Sequence, residues 1–537
     1  MYIYPNTDIR ILSSVPLNND YDNVMYFGTL SQQTNYFLGK TKYTLSNQSY
    51  QRKERGWLKV NVPQNNLWDC SYLMYRNTSF GTKWFYAFIL SVEYVNNETS
   101  LINFEIDVMQ TWFFDYTLEP CFVEREHSET DELFENTVEE DIGYGNEYNV
   151  QTMSFYNLDP TRVLLIIKGR PNPSDPTVFD PVLPNKMGNY FEGMRYISFD
   201  LENLSDLALL KNTLVEYVSS GFEDAIVKMC QYPRFMGSIT TETEEQYSQY
   251  DYKFNVNLVN IDGYIPKNKK LFCYPYNFIT VENSLGNVAI FKNEIWNDGT
   301  LNGIGNFRII GTPFGVPQTL CYPHNYRDLT EDYQSGLSLT ISIECAWVGD
   351  AFQVWLARNQ KNLQMDKDIA KTEIYAGAGV AAFSALVGAP LIAKQGIRMG
   401  QTGITDLVSN IKKEIQIKNT LSAVPGQVYG HINDDSLNLQ ADLLGYRFTQ
   451  NTIRQEYARI IDEYFSRFGY ACHRTKVPNR NARQNWTYTK TIGCEINASI
   501  PVDDAVKIKQ IYDHGVTFWN NPNNIGNFGD FTNPTYS

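Results

Sequence analysis

The chain has 537 residues and a formal net charge of −15 at pH 7. A chain of this length predicts about two to four domains, and its aromatic content of 14% excludes a wholly disordered protein. The acidic balance argues against a protein that grips nucleic-acid phosphates in basic grooves, although it is compatible with a surface past which DNA slides without binding.

The first part of the chain, residues 1–155, is predicted to be mostly β. Alternating runs rich in aromatic and β-branched residues cover 81–95 and 99–118, with an Asn-rich turn between them, as is typical of hairpins. The stretch 124–141 then holds nine carboxylates and one Arg. We interpret it as a solvated loop, because blocks of like charge usually stay in water. A cation site is the alternative, although the spacing of a calcium-binding loop is absent.

The eight cysteines are scattered over the chain, and no pair has the CxxC spacing of a structural zinc site. This scatter predicts reduced thiols in a protein made in a cytosol. The first residues, MYIYPNTDIRIL, lack the basic region and apolar core of a signal peptide. We therefore expect a protein that is not exported by that route and that binds no metal.

Residues 156–340 show mixed patterns. The run 201–221 predicts a helix that ends at its terminal glycine, and 252–261 is strand-like. The pentapeptides CYPYN (273–277) and CYPHN (321–325) contain a Cys, and the second also a His. An aromatic residue followed by Pro more simply marks a strand end that turns than a metal site.

A helix-like run at 350–370 leads into an unusual segment. From Ile374 to Ala393, twenty consecutive residues carry no charge. As a helix this segment would span about 30 Å, the hydrocarbon thickness of a bilayer. Seven strongly apolar residues at roughly −0.5 kcal/mol each give about −3.5 kcal/mol for insertion of one copy. They are Ile374, Val380, Phe383, Leu386, Val387, Leu391 and Ile392.

The small residues of this segment indicate a flexible loop. Gly377, Gly379, Gly388 and Pro390 make it a poor stiff helix in water. A permanent anchor is expected to be longer and richer in Leu and Ile. The composition therefore favours a penetration loop that is sheltered in one state and enters lipid in another. A buried core helix and a permanent membrane span are the alternatives.

The clearest helix pattern lies at 452–469, where apolar residues recur at the helical period on one face. Thr452 and Gln455 have the spacing of a capping box, and Gly469 is expected to end the helix. A last helix is predicted near 502–513.

The sequence contains no P-loop, no GxSxG and no HExxH motif. None of the five His lies at ligand spacing from a Cys or an Asp. We predict a protein that is not an enzyme and has no cofactor. A cell-wall hydrolase is the alternative function, because catalytic carboxylates need only meet in space.

Several stretches, in this order along the chain, resemble one viral protein family. They are DIRILSSVPLNNDY (8–21), GTKWFYAF (81–88), FEIDVMQTW (104–112), EREH (124–127), GYGNEY (143–148), QKNLQ (360–364), EYFSRFGY (463–470), IYDHGVTFWN (511–520) and NIGNF (524–528). In number and order they resemble the tail knob, or distal tail-tube, proteins of small Picovirinae-like podoviruses. The similarity covers about the first 150 and the last 190 residues, whereas 160–340 is weakly matched.

The resemblance implies a β-rich α+β fold. Tail-tube-type β-barrel or sandwich domains would assemble into a hexameric tube that carries a knob insertion and a long apolar loop. By this resemblance, the segments are a first tube domain (1–155), a knob region (156–340), a helix leading to the loop (341–371), the membrane-active loop (372–430) and a second tube part (431–537).

The resemblance also implies a structural virion protein at the tail tip, made in the host cytoplasm, that conducts the genome during ejection. Its expected partners are further copies of the chain, the lower collar or connector, other tail proteins, viral DNA that passes without specific binding, and lipid of the host cell membrane. The apolar loops would plug the lumen and later penetrate that membrane. A position in mid-chain suits such a segment, since it would project from a tube.

Overall fold

The computed structural model describes most of the chain outside its central part. The described residues are 6–48, 56–79, 81–140, 147–176, 178–181, 190–239, 247–296, 303–341 and 443–529, with the short pieces 142–143, 145, 185–187, 343–345, 347–349, 427–429 and 532–533. The predicted helix at 350–370 and the whole apolar segment lie outside these residues.

Among the regular elements of the described residues, strands greatly outnumber helices, which confirms the predicted β-rich class. The strands are β1 (Thr7–Leu12), β2 (Asn23–Met25), β3 (Thr41–Gln48), β4 (Trp57–Val60), β5 (Tyr72–Asn77), β6 (Phe85–Asn96), β7 (Thr99–Ile106), β8 (Tyr116–Leu118), β9 (Cys121–Glu126), β10 (Tyr148–Asn157), β11 (Arg162–Ile167), β12 (Gly169–Pro171), β13 (Phe179–Pro181), β14 (Asn185–Met187), β15 (Tyr190–Glu192), β16 (Arg195–Asp200), β17 (Ile226–Tyr232), β18 (Ser248–Lys253), β19 (Asn277–Asn283), β20 (Val288–Lys292), β21 (Asn306–Thr312), β22 (Gln318–Tyr326), β23 (Leu329–Glu331), β24 (Leu337–Thr340), β25 (Trp347–Gly349), β26 (Gln427–Tyr429), β27 (Gly445–Ile453), β28 (Tyr470–Lys476), β29 (Trp486–Ile492), β30 (Ile496–Ala498) and β31 (Val516–Trp519). The α-helices are α1 (Leu30–Gly39), α2 (Val108–Trp112), α3 (Leu204–Ser220), α4 (Gln455–Phe468) and α5 (Val502–His514).

The chain forms two compact units, neither of which is continuous in sequence. Unit 1 consists of Met1–Asn149, Leu258–Asn277 and Thr452–Ser537, and unit 2 of Val150–Asn257 and Phe278–Asn451. Residues 258–277 therefore belong to unit 1, although they lie within the segment 156–340 that the sequence treats as one region. The roles expected for the sequence segments stay predictions.

Unit 1 is built on two sheets. The six-stranded sheet has the order β3-β1-β5-β6-β7-β4, and the five-stranded sheet has the order β2-β31-β29-β9-β28. In the second sheet β2, near the start of the chain, pairs in parallel with β31, near its end. Side-chain hydrogen bonds also connect the two ends of the chain. The Trp112 indole N–H donates to the Asp504 carboxylate at 2.9 Å, and the Tyr116 and Tyr512 hydroxyls lie 2.9 Å apart.

The prediction that the acidic stretch 124–141 is a solvated loop is only partly right, because four of its carboxylates are exposed but other charged residues are not. Its first residues form the end of β9, and Arg125, Glu126, His127, Asp131 and Glu140 are all buried. Burial of so many charges is tolerated only where each is paired or hydrogen-bonded. The pairing partners come from distant parts of unit 1, which a local reading of charge density cannot reveal.

The Glu140 carboxylate joins the three sequence stretches of unit 1. It forms an ion pair with Arg125 of the first stretch and lies 2.5 Å from the Lys270 ammonium of the second. It also accepts a hydrogen bond of 2.9 Å from the Ala471 amide of the third. Burial lowers the pKa of Lys270 to about 8, so this side chain stays mainly protonated at neutral pH.

A second buried carboxylate fixes the middle stretch on α4. Asp462 accepts hydrogen bonds from the Tyr264 hydroxyl (2.6 Å) and from the Lys267 and Asn268 amides (2.8 and 2.9 Å). The Asn268 side chain in turn donates to the Ser466 hydroxyl at 2.8 Å. These bonds attach residues 264–268 along one side of the helix.

Unit 2 contains three larger sheets. The four-stranded sheet has the order β10-β27-β19-β20, the three-stranded sheet β16-β11-β17, and the five-stranded sheet β18-β21-β22-β23 with β24 paired to β22. Helix α3 packs its apolar face, including Leu207, Leu210 and Leu214, against β11 and β16. Gly221 ends this helix in the left-handed conformation (φ 73°), as predicted.

The predicted elements near the C-terminus are confirmed in existence but not in every boundary. Helix α4 ends at Gly469 as expected, but it begins at Gln455. Thr452 lies in β27, so the predicted capping box is wrong, and Arg454 takes the N-cap position without a side-chain hydrogen bond. The helix predicted near 502–513 is α5.

Two strand predictions are only partly right. The run 99–118 is interrupted by α2, because the Asp107 side chain accepts a hydrogen bond from the Gln110 amide and caps a helical turn. The run 252–261 is a strand only to Lys253, where β18 ends. Of the two pentapeptides, 273–277 turns into β19 as expected, whereas 321–325 lies within β22.

The His127 imidazole is a buried titratable group with two hydrogen bonds. Its Nδ1 accepts from the Tyr488 amide (2.8 Å), so its Nε2 carries the proton and donates to the Ser466 carbonyl (3.2 Å). Burial, followed by the nearby Arg483 charge, lowers the pKa of His127 from 6.5 to about 3. The unfolded chain therefore binds this proton first as pH falls, and the stabilising contribution is lost between pH 6.5 and about 3.

We expect His127→Gln to remove a slope of about 1.4 kcal/mol per pH unit from the free energy of unfolding in this window. Asp107 acts in the opposite direction, because burial raises its pKa from 3.8 to about 6. Its contribution to the free energy of unfolding therefore falls as pH rises through that range. The measurement is urea unfolding of both proteins at pH 4, 5 and 6. His514→Gln is the control, since that side chain is exposed. Parallel pH curves for wild type and His127→Gln would contradict the assignment.

Candidate functional site: the base of the central loop

The residues that the sequence selects as membrane-active all lie outside the described part of the chain. This holds for the seven apolar residues, for the three glycines and for Pro390. What the structure does describe is the point at which the chain enters and leaves the region that contains them.

A two-stranded antiparallel ribbon brackets the region. Strand β25 pairs with β26, with Trp347 opposite Tyr429, Val348 opposite Val428 and Gly349 opposite Gln427. Residues 350–426 therefore leave and return at neighbouring positions, as a loop does, rather than connecting two distant points. Bringing the ends of a long loop together costs conformational entropy, which grows only slowly with loop length, and the hydrogen bonds between β25 and β26 offset part of this cost.

The outgoing side of the ribbon is attached to the three-stranded sheet. Glu344 forms a bridge with Cys230 of β17, and the Cys345 amide donates to the Met229 carbonyl at 2.8 Å. The Lys228 ammonium lies 2.7 Å from the Glu344 carboxylate. Cys345 itself is buried in the core beneath α3. These contacts fix the chain five residues before the loop begins at residue 350.

The returning side is held in the four-stranded sheet. The Leu444 carbonyl accepts a hydrogen bond of 3.0 Å from the Leu158 amide, and β27 then runs between β10 and β19. The Tyr446 hydroxyl reaches the Thr319 hydroxyl at 2.9 Å and the Leu337 carbonyl at 3.2 Å. The chain is thus fixed on sheets of unit 2 at Cys345, before the loop, and again at Leu444, after it.

Gly445 is required where the returning chain passes β10. A Cβ at this position would lie 2.0 Å from the Tyr156 carbonyl oxygen, which is backbone and has no freedom to rotate away. The Gly445 amide and carbonyl also exchange hydrogen bonds with Ser284, at 2.6 Å to its hydroxyl and 3.1 Å from its amide.

Sequence reasoning did not find this base. The segments WVG and QVY are three residues each, too short for a period-2 pattern, and they are separated by the whole loop. The two apolar β-branched centres, Val348 and Val428, were the only available signal. Pairing between them is decided by the fold of unit 2.

The described residues form neither a metal-binding cluster nor a membrane-spanning helix. No group of three His, Cys, Asp or Glu side chains there is arranged to hold a metal ion. Within the same residues, no helix is long and apolar enough to cross a bilayer. None of the eight cysteines forms a disulfide bond, and seven of them are buried.

Comparison with known sequences identifies the family. The family model for the C-terminal domain of the tail knob protein gp9 of Bacillus phage phi29 matches residues 234–532, more than half of the chain and including the loop with its base. This chain belongs to the phi29-type tail knob proteins. A second family model, for the N-terminus of caudoviral major tail proteins, matches residues 5–117, which include the six-stranded sheet of unit 1.

Full-length tail knob relatives support the same assignment. The tail knob proteins gp9 of Bacillus phages phi29 and B103 are each 26% identical to the chain and cover 97% and 96% of it, with 98% and 96% of their own lengths aligned. The solved tail knob protein gp12 of bacteriophage C1 has the same fold, with a TM-score of 0.63 and 13% identity over 98% of this chain and 99% of that one. The chain is therefore a structural protein of a phage tail, located in the virion, where it contacts other tail proteins.

We expect Gly445→Ala to destabilise the protein by about 1–3 kcal/mol, because the added methyl group forces β27 away from β10. Thermal unfolding followed by circular dichroism measures the change. Gly39→Ala is the matched control, since nothing lies within 4 Å of a Cβ at Gly39 and no loss is expected. Equal unfolding midpoints for the two variants would show that the strands separate without strain.

Proposed function

We propose that this tail knob protein forms the distal tail tube of a short-tailed phage, and that its central loop penetrates the host cell membrane during genome ejection. The observation that carries the proposal is the antiparallel pairing of β25 with β26 around residues 350–426. A loop with paired ends can move as a body without disturbing the sheets that hold it. The uncharged stretch from Ile374 to Ala393 gives this loop its affinity for lipid.

We propose that the membrane-active segment predicted from the sequence, 372–430, inserts into the membrane from several copies of the chain at once. Insertion of one copy is worth only about −3.5 kcal/mol, and several loops on one assembly multiply this affinity. Ile374, Val380, Phe383, Leu386, Val387, Leu391 and Ile392 supply the apolar surface, while Gly377, Gly379, Gly388 and Pro390 allow the chain to repack on leaving the lumen. Residues 394–426 carry five Lys or Arg against two Asp or Glu, which favours anionic headgroups.

The assembly is a homohexamer with a lumen for DNA. Unit 1 gathers most of the two proposed tube segments, 1–155 and 431–537, into one body, and the match of residues 5–117 to a caudoviral tail protein supports the tube role. Each copy contributes a net charge of −15, so an acidic lumen would repel phosphates and let the genome pass without binding. The tube attaches to the lower collar, and 156–340 with 341–371 form the knob and the approach to the loop.

The protein is made in the host cytoplasm and has no enzymatic activity in this proposal. It needs no cofactor, because tube formation, loop release and lipid insertion are binding events. The alternative, a tail-associated cell-wall hydrolase, is favoured by no observation on the described residues or in the names of the relatives.

We expect Leu386→Asp to abolish leakage of dye from liposomes. One Asp at the bilayer centre costs about 2.5–3.5 kcal/mol, which offsets nearly the whole insertion energy of a loop. Liposomes with and without anionic lipid report the contribution of the basic flank. Leu386→Ile is the matched control and should cause the same leakage as the wild type. A deletion of 374–393 should cause none. Unchanged leakage by both the Asp variant and the deletion would refute penetration by this segment.

Electron microscopy of the purified full-length protein tests the assembly. We expect rings or short tubes with six-fold symmetry and density in the lumen, because the loops are proposed to fill it before release. The 374–393 deletion should keep the rings and lose the luminal density. Monomers at every concentration, or rings of another symmetry, would contradict the hexameric tube.

A further inference from the structure

The five-stranded sheet of unit 2 has one face that is packed and one that is polar. On the packed face Phe307 contacts Phe448, Trp296 and Phe291 with ring centroids 5.0–5.7 Å apart. On the other face Asp251 of β18 lies opposite Arg308 of β21, which lies opposite Tyr322 of β22. Successive side chains on a strand point to opposite faces, so Arg308 faces away from Phe307. Residues directly opposite one another on neighbouring strands share a face, so these three side chains form a row across β18, β21 and β22.

Arg308 sits between two carboxylates on this face. Its Nε donates to Asp251 and its Nη1 to Glu331, both at 2.6 Å. The hydrogen bond from Arg308 lowers the pKa of Asp251, and hydrogen bonds from Tyr333 and Arg308 lower that of Glu331. The Asp251 side chain is 68% exposed and that of Glu331 31%. Fixed, ionised acceptors are therefore presented to solvent.

Two exposed aromatic rings border these charges. Tyr333 packs on the buried Tyr322 with centroids 4.6 Å apart, and its hydroxyl bonds to Glu331. Tyr333 nevertheless stays 50% exposed, and Tyr247, within electrostatic range of the Tyr333 hydroxyl, is 56% exposed. Tyrosines with an apolar ring face and a wet hydroxyl are typical of binding surfaces.

The combination matches the chemistry of a sugar ring. One face of a pyranose carries C–H groups that pack on an aromatic ring, while its hydroxyls both donate and accept hydrogen bonds. Asp251 and Glu331 accept hydrogen bonds from sugar hydroxyls, and the Arg308 fork, which is only 17% exposed, holds both carboxylates in place. We propose that this face of unit 2, defined by Tyr247, Asp251, Arg308, Glu331 and Tyr333, binds an uncharged polysaccharide.

Charge excludes two other occupants. Exposed Asp251 and Glu331 would repel nucleic acid and phosphate-containing wall polymers, which carry negative charge along their backbones. The same two carboxyls are poor candidates for glycoside hydrolysis, since that reaction needs one carboxyl with a raised pKa as proton donor and both of these are lowered. The face is suited to binding without cleavage.

The test is binding of the full-length protein to immobilised neutral oligosaccharides of hexoses and N-acetylhexosamines, with teichoic acid as the anionic comparison. The double variant Tyr247→Ala, Tyr333→Ala should bind the neutral ligands about tenfold more weakly. Tyr333→Phe keeps the ring and should bind nearly as well as the wild type. Tyr94→Ala is the control, because Tyr94 is 60% exposed in unit 1, far along the chain from this sheet.

Each other outcome overturns the proposal. Absence of binding to any neutral oligosaccharide, stronger binding to teichoic acid, or equal binding by the double variant would each do so. Loss of the assembled state in the double variant would instead identify the face as an interface between copies of the chain. Liposome leakage should be unchanged in this variant, so failure here is distinguishable from failure of the loop mechanism.

Discussion

A buried carboxylate with three partners holds the discontinuous unit 1 together. Glu140 contacts Arg125, Lys270 and the Ala471 amide, one from each of the three stretches of chain that form the unit. A charge in an apolar interior is tolerated only with partners of this quality, and removal of one partner typically costs about 3–5 kcal/mol. The association of the three stretches is therefore specific, because any other alignment of them would leave a buried charge without a partner. Asp462 applies the same constraint to residues 264–268 on α4.

This constraint allows one segment of the chain to be inserted within another. In the sequence, the stretches of unit 2 lie between the stretches of unit 1, and the loop 350–426 lies within unit 2. At each level the flanking residues are fixed by pairing: the stretches of unit 1 through Glu140, and the ends of the loop through β25 and β26. The sheets on either side of the loop are held by contacts between described residues, such as Glu344 with Cys230 and Leu444 with Leu158.

The two units use charge in different ways. In unit 1 the buried charges of the acidic stretch, such as Arg125 and Glu140, are paired internally, so they make the association of the three stretches specific. In unit 2 the Asp251–Arg308–Glu331 group stands on a sheet face with carboxylates open to solvent. Paired charges at an exposed position add little to stability, and a ligand can compete for their hydrogen bonds. The same residue types thus serve assembly of the fold in one unit and recognition in the other.

The sequence by itself determined what depends on local pattern and on composition. The β-rich class, α3 with its terminal Gly221, α4, α5 and the family resemblance all follow from periodicity, capping glycines and ordered short stretches, which act over a few neighbouring residues. The tertiary structure alone decided the burial of five polar or charged residues within 124–141, the place of Thr452 in a strand, and the pairing of Trp347–Gly349 with Gln427–Tyr429. Each of these depends on partners many residues away: a carboxylate looks solvated until a distant Lys or Arg is brought to it, and a three-residue strand has no pattern until its partner is adjacent. The apolar stretch at 374–393 remains a sequence-level assignment, because its composition alone, twenty uncharged residues, supplies the physical argument.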